Sequence, residues 1–329
     1  MASSQTELLA ENIIPTIDFG LLVNGTPDQR SGMVQTLAKA CEDWGFFMLV
    51  NHGMPDGLSD EMLEAFTALF GMSYDEKVPY MGGHVLDPIR IGTGFNYKTD
   101  LEKCWKHYVK IFVHPEFHSV SKPLNFRDIS KDYSECTRAI GLQLLKAIWE
   151  GLGMEESHVN DALKLSSCFQ NLTGNLYPPY TNPDIKFGFV PHSDHGLLTL
   201  IYQNGVDGLQ IKHQDRWVDA RPATNSIMVN TCDQLEKKEN ERKIGLVQIV
   251  TNGKYKAVLH RVLLNTEVAR MSVATTIGPS LDAIVEPIAD LVNTDYPAVF
   301  RAMKYRDYLE QQQSNSLVEK GALNHVMLS

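Results

Sequence analysis

The sequence predicts a mainly β protein with helical flanks, whose core is a sandwich or barrel of the jelly-roll kind. From about residue 168, short β-rich runs alternate with turn residues such as Asp207-Gly208 and Asn252-Gly253. Many short strands at this spacing are typical of such barrels. The first half carries apolar residues at helical spacing, and residues 296–310 return to a helical pattern. Because no internal repeat or long linker separates these parts, we expect the helices to pack onto the barrel.

The individual elements follow from two apolar patterns. Apolar-rich runs in the first half predict short strands, at 14–19, 46–50 and 108–113. Apolar residues that recur every three or four positions predict amphipathic helices, at 28–44, 58–70 and about 128–152. The second half contributes further β-rich runs, at 168–176, 188–191, 197–203, 209–213, 217–220, 226–230, 255–264 and 270–276. We therefore expect three regions, at 1–165 (helical and mixed), 166–280 (β core) and 281–329 (helical tail).

Composition argues against several classes of function. The chain has 329 residues, a net charge of −10 and no Lys/Arg-rich run, so a phosphate-binding nucleic-acid surface is not expected. No stretch approaches the roughly 18 apolar residues of a membrane span, and the N-terminus lacks the basic and apolar regions of a secretory signal. The 5 cysteines are odd in number and lack C-x-x-C spacing, which favours reduced thiols. We expect a cytoplasmic protein with no nucleic-acid or membrane partner.

Three residues in the β-rich block have the composition of an iron site. His192 and Asp194 lie two positions apart, a spacing that points both side chains to one face of a strand. Alone, this pair could be an ion pair near a turn, and His260 alone could be a core histidine of an interior strand. Together, at strand ends that a barrel brings near one another, they form the ligand set that holds Fe(II) by one face. His195 would point away from this set, which favours a supporting or surface role.

Arg270 and Ser272 lie on the next apolar strand, where a buried guanidinium needs an anionic partner. One alternative is an internal salt bridge. The other is a carboxylate-bearing co-substrate, which a guanidinium binds through two parallel hydrogen bonds. Asn175 and Tyr177 could complete that pocket, although such residues are more often polar members of a core. Together with the three candidate ligands, this pattern indicates an iron-dependent oxygenase.

Several motifs carry a resemblance to a known family. In chain order they are Trp44-Gly45-Phe46-Phe47, Asn51-His52-Gly53, Asn175-Leu176-Tyr177-Pro178-Pro179, His192-Ser193-Asp194, His260-Arg261-Val262 and Arg270-Met271-Ser272. In this combination the chain resembles the plant 2-oxoglutarate- and iron(II)-dependent dioxygenases, the group around flavonol synthase and anthocyanidin synthase, with an isopenicillin N synthase-like fold. The resemblance covers almost the whole chain.

The resemblance implies a double-stranded β-helix with a helical N-terminal region and a C-terminal helix. It implies that His192, Asp194 and His260 bind Fe(II), with 166–280 as the catalytic core. It further implies that 2-oxoglutarate is held by four residues, Asn175, Tyr177, Arg270 and Ser272. The reaction would hydroxylate or desaturate a small organic metabolite with O2 and release succinate and CO2. Ascorbate is the expected reductant, and a monomer is the expected state.

The chain departs from the family pattern at two places near His260. Cys232 stands where a glycine is expected, which predicts a local adjustment of the backbone. Residues 237–248 have no counterpart in the family. They are either a solvated loop, since loop extension costs little entropy, or a translated intron remnant that strains the strand bearing His260.

The substrate and the exact activity are left open by the sequence. Four aromatic residues are candidates to line a substrate pocket, Phe95, Tyr97, Tyr108 and Tyr180, although each could equally be a core residue. They would suit a flat organic metabolite of specialised metabolism. Two alternatives to a 2-oxoglutarate-dependent enzyme remain. One is an iron-dependent oxidase that does not use 2-oxoglutarate, like aminocyclopropane-carboxylate oxidase, and the other is a binding protein or a variant impaired by residues 237–248.

Overall fold

The N-terminal elements are set by capping residues and one glycine. The computed structural model describes residues 13–94, 104–181, 185–232, 249–252, 255, 258–298 and 300–314. In it, strand β1 (Thr16–Asp18) runs directly into helix α1 (Phe19–Asn24). The Asp18 carboxylate accepts the Leu21 N–H and caps α1. A capping box at Thr26 begins helix α2 (Pro27–Asp43), and Gly45, at φ +63°, turns the chain into strand β2 (Phe46–Val50).

The remaining helices cover one side of the molecule. They are α3 (Leu58–Phe70), α4 (Tyr74–Lys77), α5 (Phe126–Gly151), α6 (Glu156–Leu163) and α7 (Tyr305–Ser314). The two longest of these five helices each bury an apolar stripe. The stripe contains Met62 and Phe66 in α3, and Leu144 and Ile148 in α5. Packing of such stripes against a sheet supplies most of the stability of helices like these.

The strands form two main sheets. The further strands are β3 (Ile89–Thr93), β4 (His107–His114), β5 (Phe169–Tyr177), β6 (Phe187–His192), β7 (Leu198–Gln203), β8 (Leu209–His213), β9 (Arg216–Asp219), β10 (Ile227–Thr231), β11 (His260–Leu263), β12 (Arg270–Gly278), β13 (Ile284–Val285) and β14 (Met303–Lys304). The major sheet has 8 strands in the order β1-β2-β10-β7-β12-β5-β4-β3, and the minor sheet has 4, in the order β6-β11-β8-β9. β13 and β14 pair separately.

The two faces of the major sheet differ in chemistry because side chains alternate along each strand. On the outer face, Leu172, Leu200 and Val273 join one apolar core with the helices. On the inner face, Ile201 and Met228 pack against the minor sheet in a second, smaller core. Asn175 and Tyr177 of β5 share this inner face with Arg270 and Ser272 of β12, so the fold places them in the space between the two sheets.

The sequence-predicted architecture is confirmed, with differences at two elements. The strand predicted at 255–264 comprises only His260–Leu263. The helix predicted at 296–310 begins at Tyr305, because Met303–Lys304 instead pairs as a strand with Ile284–Val285. Tertiary pairing therefore overrides the helical pattern there, and Pro297 disfavours helix in the residue before it. Residues 237–248 lie outside the described residues.

Across the described ranges, the helices are all too short or too polar to cross a membrane.

Candidate metal centre

His192, Asp194 and His260 come together at one end of the minor sheet. His192 is the last residue of β6 and lies directly opposite His260, the first residue of β11, in the antiparallel pair. Asp194 follows β6 by two residues. Its Oδ1 atom is 3.7 Å from His192 Nε2 and 3.6 Å from His260 Nε2. Within the described ranges this is the one cluster of three such donors, whose ligand atoms all lie within 4.8 Å of one another.

The local placement differs from the prediction in one respect. The sequence predicts that His192 and Asp194 share one face of a strand, whereas His192 is the last residue of β6 and Asp194 lies beyond its end. Asp194 lies in the turn after β6 and reaches the site through that turn. The antiparallel pairing of β6 and β11 still produces convergence, because the end of one strand lies beside the start of the other.

Hydrogen bonds orient the three side chains. The Nδ1 atom of His192 is 2.8 Å from the Val190 carbonyl oxygen, and that of His260 is 3.4 Å from the Val258 carbonyl oxygen. Donation from each Nδ1–H leaves Nε2 with a lone pair for a metal. Asn230 of β10 donates to Asp194 Oδ2 at 3.1 Å, so Oδ1 is the oxygen that faces the imidazoles.

The electrostatics keep these groups in the protonation state that binds a metal. Burial and the neighbouring His260 lower the pKa of His192 well below its ordinary value, so its imidazole is neutral at neutral pH. Burial favours a neutral Asp194 carboxyl, but its interactions with His260, then with His192 and Asn230, hold its pKa below the ordinary value. Two imidazoles and one carboxylate match the facial set that binds Fe(II) and leaves positions open.

Arg270 is buried between the sheets, and some of its N–H groups lack an acceptor. It begins β12, is only 1% exposed, and is the register partner of Tyr177 on β5. Its Nη2 donates to Gln203 Oε1 and its guanidinium also interacts with the Tyr177 hydroxyl, whereas Nε and Nη1 make no hydrogen bond of ordinary geometry among the described residues. Gly208 leaves room for this side chain, since a Cβ there would come within 3.2 Å of Arg270 Cδ. A buried guanidinium with unsatisfied N–H groups is costly, and an anionic carboxylate beside it would lower that cost.

The other predicted 2-oxoglutarate residues lie beside Arg270. Ser272 is two residues further along β12 on the same face, and its register partner is Asn175. Tyr177 is 3% exposed, and burial raises the pKa of its hydroxyl to about 12, so the hydroxyl is a neutral donor. The ring lies 5.1 Å from the Arg270 guanidinium carbon. The structure thus gathers all four residues on one inner face.

The aromatic substrate candidates have different positions. Phe95 and Tyr97 lie outside the described residues. Tyr108 lies on the inner face of β4, opposite Asn175, and its ring covers Gly92, where a Cβ would come within 2.5 Å of the ring. Tyr180 lies beyond the end of β5 and packs against the ring of Trp105, with 5.8 Å between centroids.

Three basic residues near the site were missed by the sequence reasoning. Lys106 donates to Asn175 Oδ1 at 2.8 Å and lies 3.7 Å from the centre of the Phe189 ring. Lys110 follows on the same face of β4, and Arg90 of β3 is its register partner. The signal was the alternation of 106–111, in which Lys106, Tyr108 and Lys110 share one face.

His195 and Cys232 also have more specific surroundings than expected. His195 is half-buried, and burial, then the charge of Lys110, lowers its pKa to about 3. The strand ends before it, so alternation along a strand does not determine the direction of its side chain. Cys232 is buried after β10, and its sulfur lies 3.2 Å from Thr199 Oγ1.

A jelly-roll of two sheets that encloses two imidazoles, a carboxylate and a buried arginine defines a class, the non-haem iron oxygenases. Comparisons with known proteins agree. Residues 165–279 match the 2OG-Fe(II) oxygenase superfamily, and residues 14–130 match the family described as non-haem dioxygenase in morphine synthesis N-terminal.

Individual relatives are similar over nearly their whole length. The chain is 48% identical over 314 residues to 2-oxoglutarate-dependent dioxygenase 19 of Oryza sativa subsp. japonica, covering 95% of this chain and 90% of that protein. It is 30% identical to flavonol synthase 1 of Crocosmia x crocosmiiflora, covering 90% and 84%. The crystal structure of JOX2 in complex with 2OG, Fe and JA superposes with a TM-score of 0.76 at 27% identity, covering 90% of this chain and 83% of JOX2.

The chain therefore belongs to the 2-oxoglutarate- and iron(II)-dependent oxygenases, and it is a 2-oxoglutarate-dependent dioxygenase. The predicted family, fold and class of enzyme are confirmed.

Proposed function

We propose that His192, Asp194 and His260 bind the Fe(II) ion of this dioxygenase. The support is the donor set, the convergence of three ligand atoms and the carbonyl oxygens that fix both Nδ1 protons. When bound, the metal would supply the activation of O2, and the protein contributes geometry and a water-poor site. His260 contributes its imidazole from the minor sheet, and Asn230 of the major sheet donates a hydrogen bond to the Asp194 carboxylate.

The 2-oxoglutarate site is formed by Asn175, Tyr177, Arg270 and Ser272. The observation that carries this proposal is the pair of unsatisfied, buried N–H groups on Arg270. A carboxylate placed against the guanidinium would supply an acceptor that it lacks, with hydroxyl donors at Tyr177 and Ser272 beside it. The similarity to 2-oxoglutarate-dependent dioxygenase 19, at 48% identity, supports 2-oxoglutarate as the anion that this arginine binds.

The substrate is a small organic metabolite, which the enzyme hydroxylates or desaturates with O2 while 2-oxoglutarate is converted to succinate and CO2. The JA bound to JOX2 and the name of flavonol synthase support a role in specialised metabolism. Ascorbate serves as reductant, and the enzyme acts as a cytoplasmic monomer. The chain divides into a mixed region 1–165, a catalytic core 166–280 and a helical tail 281–329, in keeping with the residues matched by the two families.

The test is independent of the substrate. Protein mixed anaerobically with Fe(II) and 2-oxoglutarate is expected to develop a visible charge-transfer band, and on admission of O2 with ascorbate to release succinate. His192→Ala is expected to abolish both signals, whereas His158→Ala, at an exposed position of α6, retains them. A band that persists in His192→Ala would refute the ligand assignment. Iron-dependent turnover without 2-oxoglutarate would refute the second site.

A further inference from the structure

Gln203 lies in line with the residues proposed to hold 2-oxoglutarate. It is the last residue of β7 and lies directly opposite Ser272 of β12, which in turn lies opposite Asn175 of β5. Directly opposed residues of antiparallel strands point to the same face of a sheet. Gln203, Ser272 and Asn175 therefore form one polar row across three neighbouring strands. Arg270 and Tyr177 form the next row on the same face.

The side chain of Gln203 fixes the direction of the Arg270 guanidinium. Its Oε1 accepts a hydrogen bond from Arg270 Nη2, and the two residues are only 7% and 1% exposed. Because a guanidinium has donors and no acceptor, the oxygen of the amide has to face it. The nitrogen of the same amide, Nε2, has no acceptor among the described residues. A guanidinium of fixed direction is what recognition of a carboxylate through two parallel hydrogen bonds requires.

The next residue, Asn204, fixes the backbone on both sides of Arg270. Its Nδ2 donates to the Ala269 carbonyl oxygen at 3.1 Å, and its Oδ1 accepts from the Met271 N–H at 3.0 Å. Its backbone N–H donates to the Met271 carbonyl oxygen at 3.1 Å. Two consecutive residues thus hold Arg270 at two levels, Gln203 at the guanidinium and Asn204 at the start of β12.

The partners that the protein gives Arg270 are neutral. Among the described residues, the guanidinium interacts with the Gln203 amide and the Tyr177 hydroxyl, and burial raises the pKa of that hydroxyl to about 12. Burial lowers the pKa of Arg270, but an arginine titrates so far above neutral pH that its guanidinium stays charged. A neutral acceptor therefore orients this charge without cancelling it, and the charge remains for an anionic ligand.

We propose, on the basis of the function proposed above, that Gln203 is a positioning residue for 2-oxoglutarate, acting through the guanidinium of Arg270. Its amide directs the guanidinium towards a carboxylate of the co-substrate, and Asn204 keeps the start of β12 in place. Because the amide is neutral, the site favours a co-substrate with a second carboxylate over a 2-oxo acid that has only one.

The test compares 2-oxoglutarate with 2-oxopentanoate, which differs only by a methyl group in place of the second carboxylate. Each is titrated anaerobically into protein loaded with Fe(II), and the visible charge-transfer band measures the dissociation constant. The unsubstituted protein is expected to bind 2-oxoglutarate about tenfold or more tightly than 2-oxopentanoate, because only 2-oxoglutarate carries the carboxylate that pairs with Arg270.

Two substitutions separate orientation from charge. Gln203→Met keeps the size of the side chain and removes the amide, and it is expected to weaken 2-oxoglutarate binding about ten- to hundredfold, the range for hydrogen bonds to charged groups. Gln203→Glu keeps an acceptor but cancels the charge of Arg270, and it is expected to weaken 2-oxoglutarate binding at least as much. Both should leave the affinity for 2-oxopentanoate unchanged. Gln35→Met and Gln35→Glu, at an exposed position of α2, are the matched controls and should change neither affinity.

A second measurement uses protein without metal or co-substrate. Gln203→Glu is expected to have a higher thermal midpoint than Gln203→Met at neutral pH, because the introduced carboxylate pairs with a guanidinium that is otherwise buried without an anion. If Gln203→Met does not fold, Asn204→Ala, at an exposed position, tests the same arrangement. It is expected to weaken 2-oxoglutarate binding severalfold and to leave that of 2-oxopentanoate unchanged.

Three results would overturn the inference. The first is a Gln203→Met variant, or in its place Asn204→Ala, that binds 2-oxoglutarate as tightly as the unsubstituted protein or weakens both oxo acids equally, which indicates a structural role. The second is undiminished 2-oxoglutarate binding by Gln203→Glu, and the third is a thermal midpoint of Gln203→Glu no higher than that of Gln203→Met.

Failure of the proposed function is distinguishable from failure of this inference. If the charge-transfer band does not form with 2-oxoglutarate in the unsubstituted protein, the proposed function fails and this inference with it. If the band forms and the Gln203 variants show no selective loss of 2-oxoglutarate, only this inference fails.

Discussion

Asn230 is the residue that fixes the Asp194 carboxylate, through its hydrogen bond to Oδ2. Partners of metal ligands at this distance typically contribute ten- to hundredfold to metal affinity. We therefore expect Asn230→Ala to weaken Fe(II) binding by about that factor, because the freed carboxylate can rotate away from the imidazoles. Anaerobic titration with Fe(II), followed by the charge-transfer band, measures this.

The matched control is Asn125→Ala, at an exposed position before α5 where the side chain makes no capping bond. It should leave the affinity unchanged. Equal Fe(II) affinity in Asn230→Ala and the unsubstituted protein would contradict the proposed role of Asn230.

Lys106 and Lys110 give a pH dependence whose sign follows from their depressed pKa values. In the folded protein their pKa is about 7, whereas an unfolded lysine titrates near about 10.4. Below pH 7 both states are protonated and the cost of burying the charges is complete. Above pH 7 the unfolded state holds more protons, so stability rises with pH up to the unfolded pKa.

We expect this contribution to raise the thermal midpoint of metal-free protein between pH 7 and pH 9, and Lys110→Met to reduce the rise. Lys39→Met controls for loss of a surface charge. Identical pH profiles for Lys110→Met and the unsubstituted protein would show that Lys110 titrates normally.

The residues that could be predicted from the sequence are those whose chemistry is rare in an apolar strand. His192, Asp194, His260 and Arg270 are costly to bury without a partner, so their positions alone indicated a site. A lysine in a strand usually indicates that this face of the sheet is exposed to solvent. Lys106 and Lys110 could be recognised only once β4 was seen to have both faces covered, one by helices and one by the minor sheet.

At the scale of the elements, close contact between α3 and β5 depends on Gly174. A Cβ at this position would come within 2.3 Å of the Phe66 ring, and a ring in a packed core cannot move aside cheaply. We expect Gly174→Ala to lower the free energy of unfolding by about 1–3 kcal/mol. Chemical denaturation measures the change.

Gly32 of α2 provides the opposite case. A Cβ there meets nothing within 4 Å, so Gly32→Ala should stabilise the protein by up to about 1 kcal/mol through helix propensity. If the two variants had similar stabilities, the close packing of α3 on the sheet would not be limiting.

Element boundaries were less predictable than the elements themselves. Apolar spacing identified α2, α3 and α5 because each buries one long stripe. The strand that bears His260 is shorter than its apolar run, and the last helix begins late, because pairing with neighbours decides where a short strand begins and ends. Such pairing joins residues distant in sequence, such as Met303 and Val285.

At the scale of the whole molecule, the proposed metal site joins parts of the chain that are far apart in sequence. Saturation with Fe(II) and 2-oxoglutarate at about 100 times the dissociation constant should stabilise the fold by roughly 2.7 kcal/mol. The thermal midpoint should rise by roughly 5 °C or more and return on addition of a chelator. His260→Ala should show no such rise, and a rise as large as in the unsubstituted protein would argue that the metal binds elsewhere.

The two groups that must meet in the reaction are held by different sheets. The histidines belong to the minor sheet and Arg270 to the major sheet, and Ile201, Met228, Leu209 and Ile211 fill the space between. The separation between the proposed metal and co-substrate sites is thus set by the volume of the apolar side chains packed between the two sheets. A change of size at Met228 would adjust the reach between the two cofactors while every ligand stayed the same.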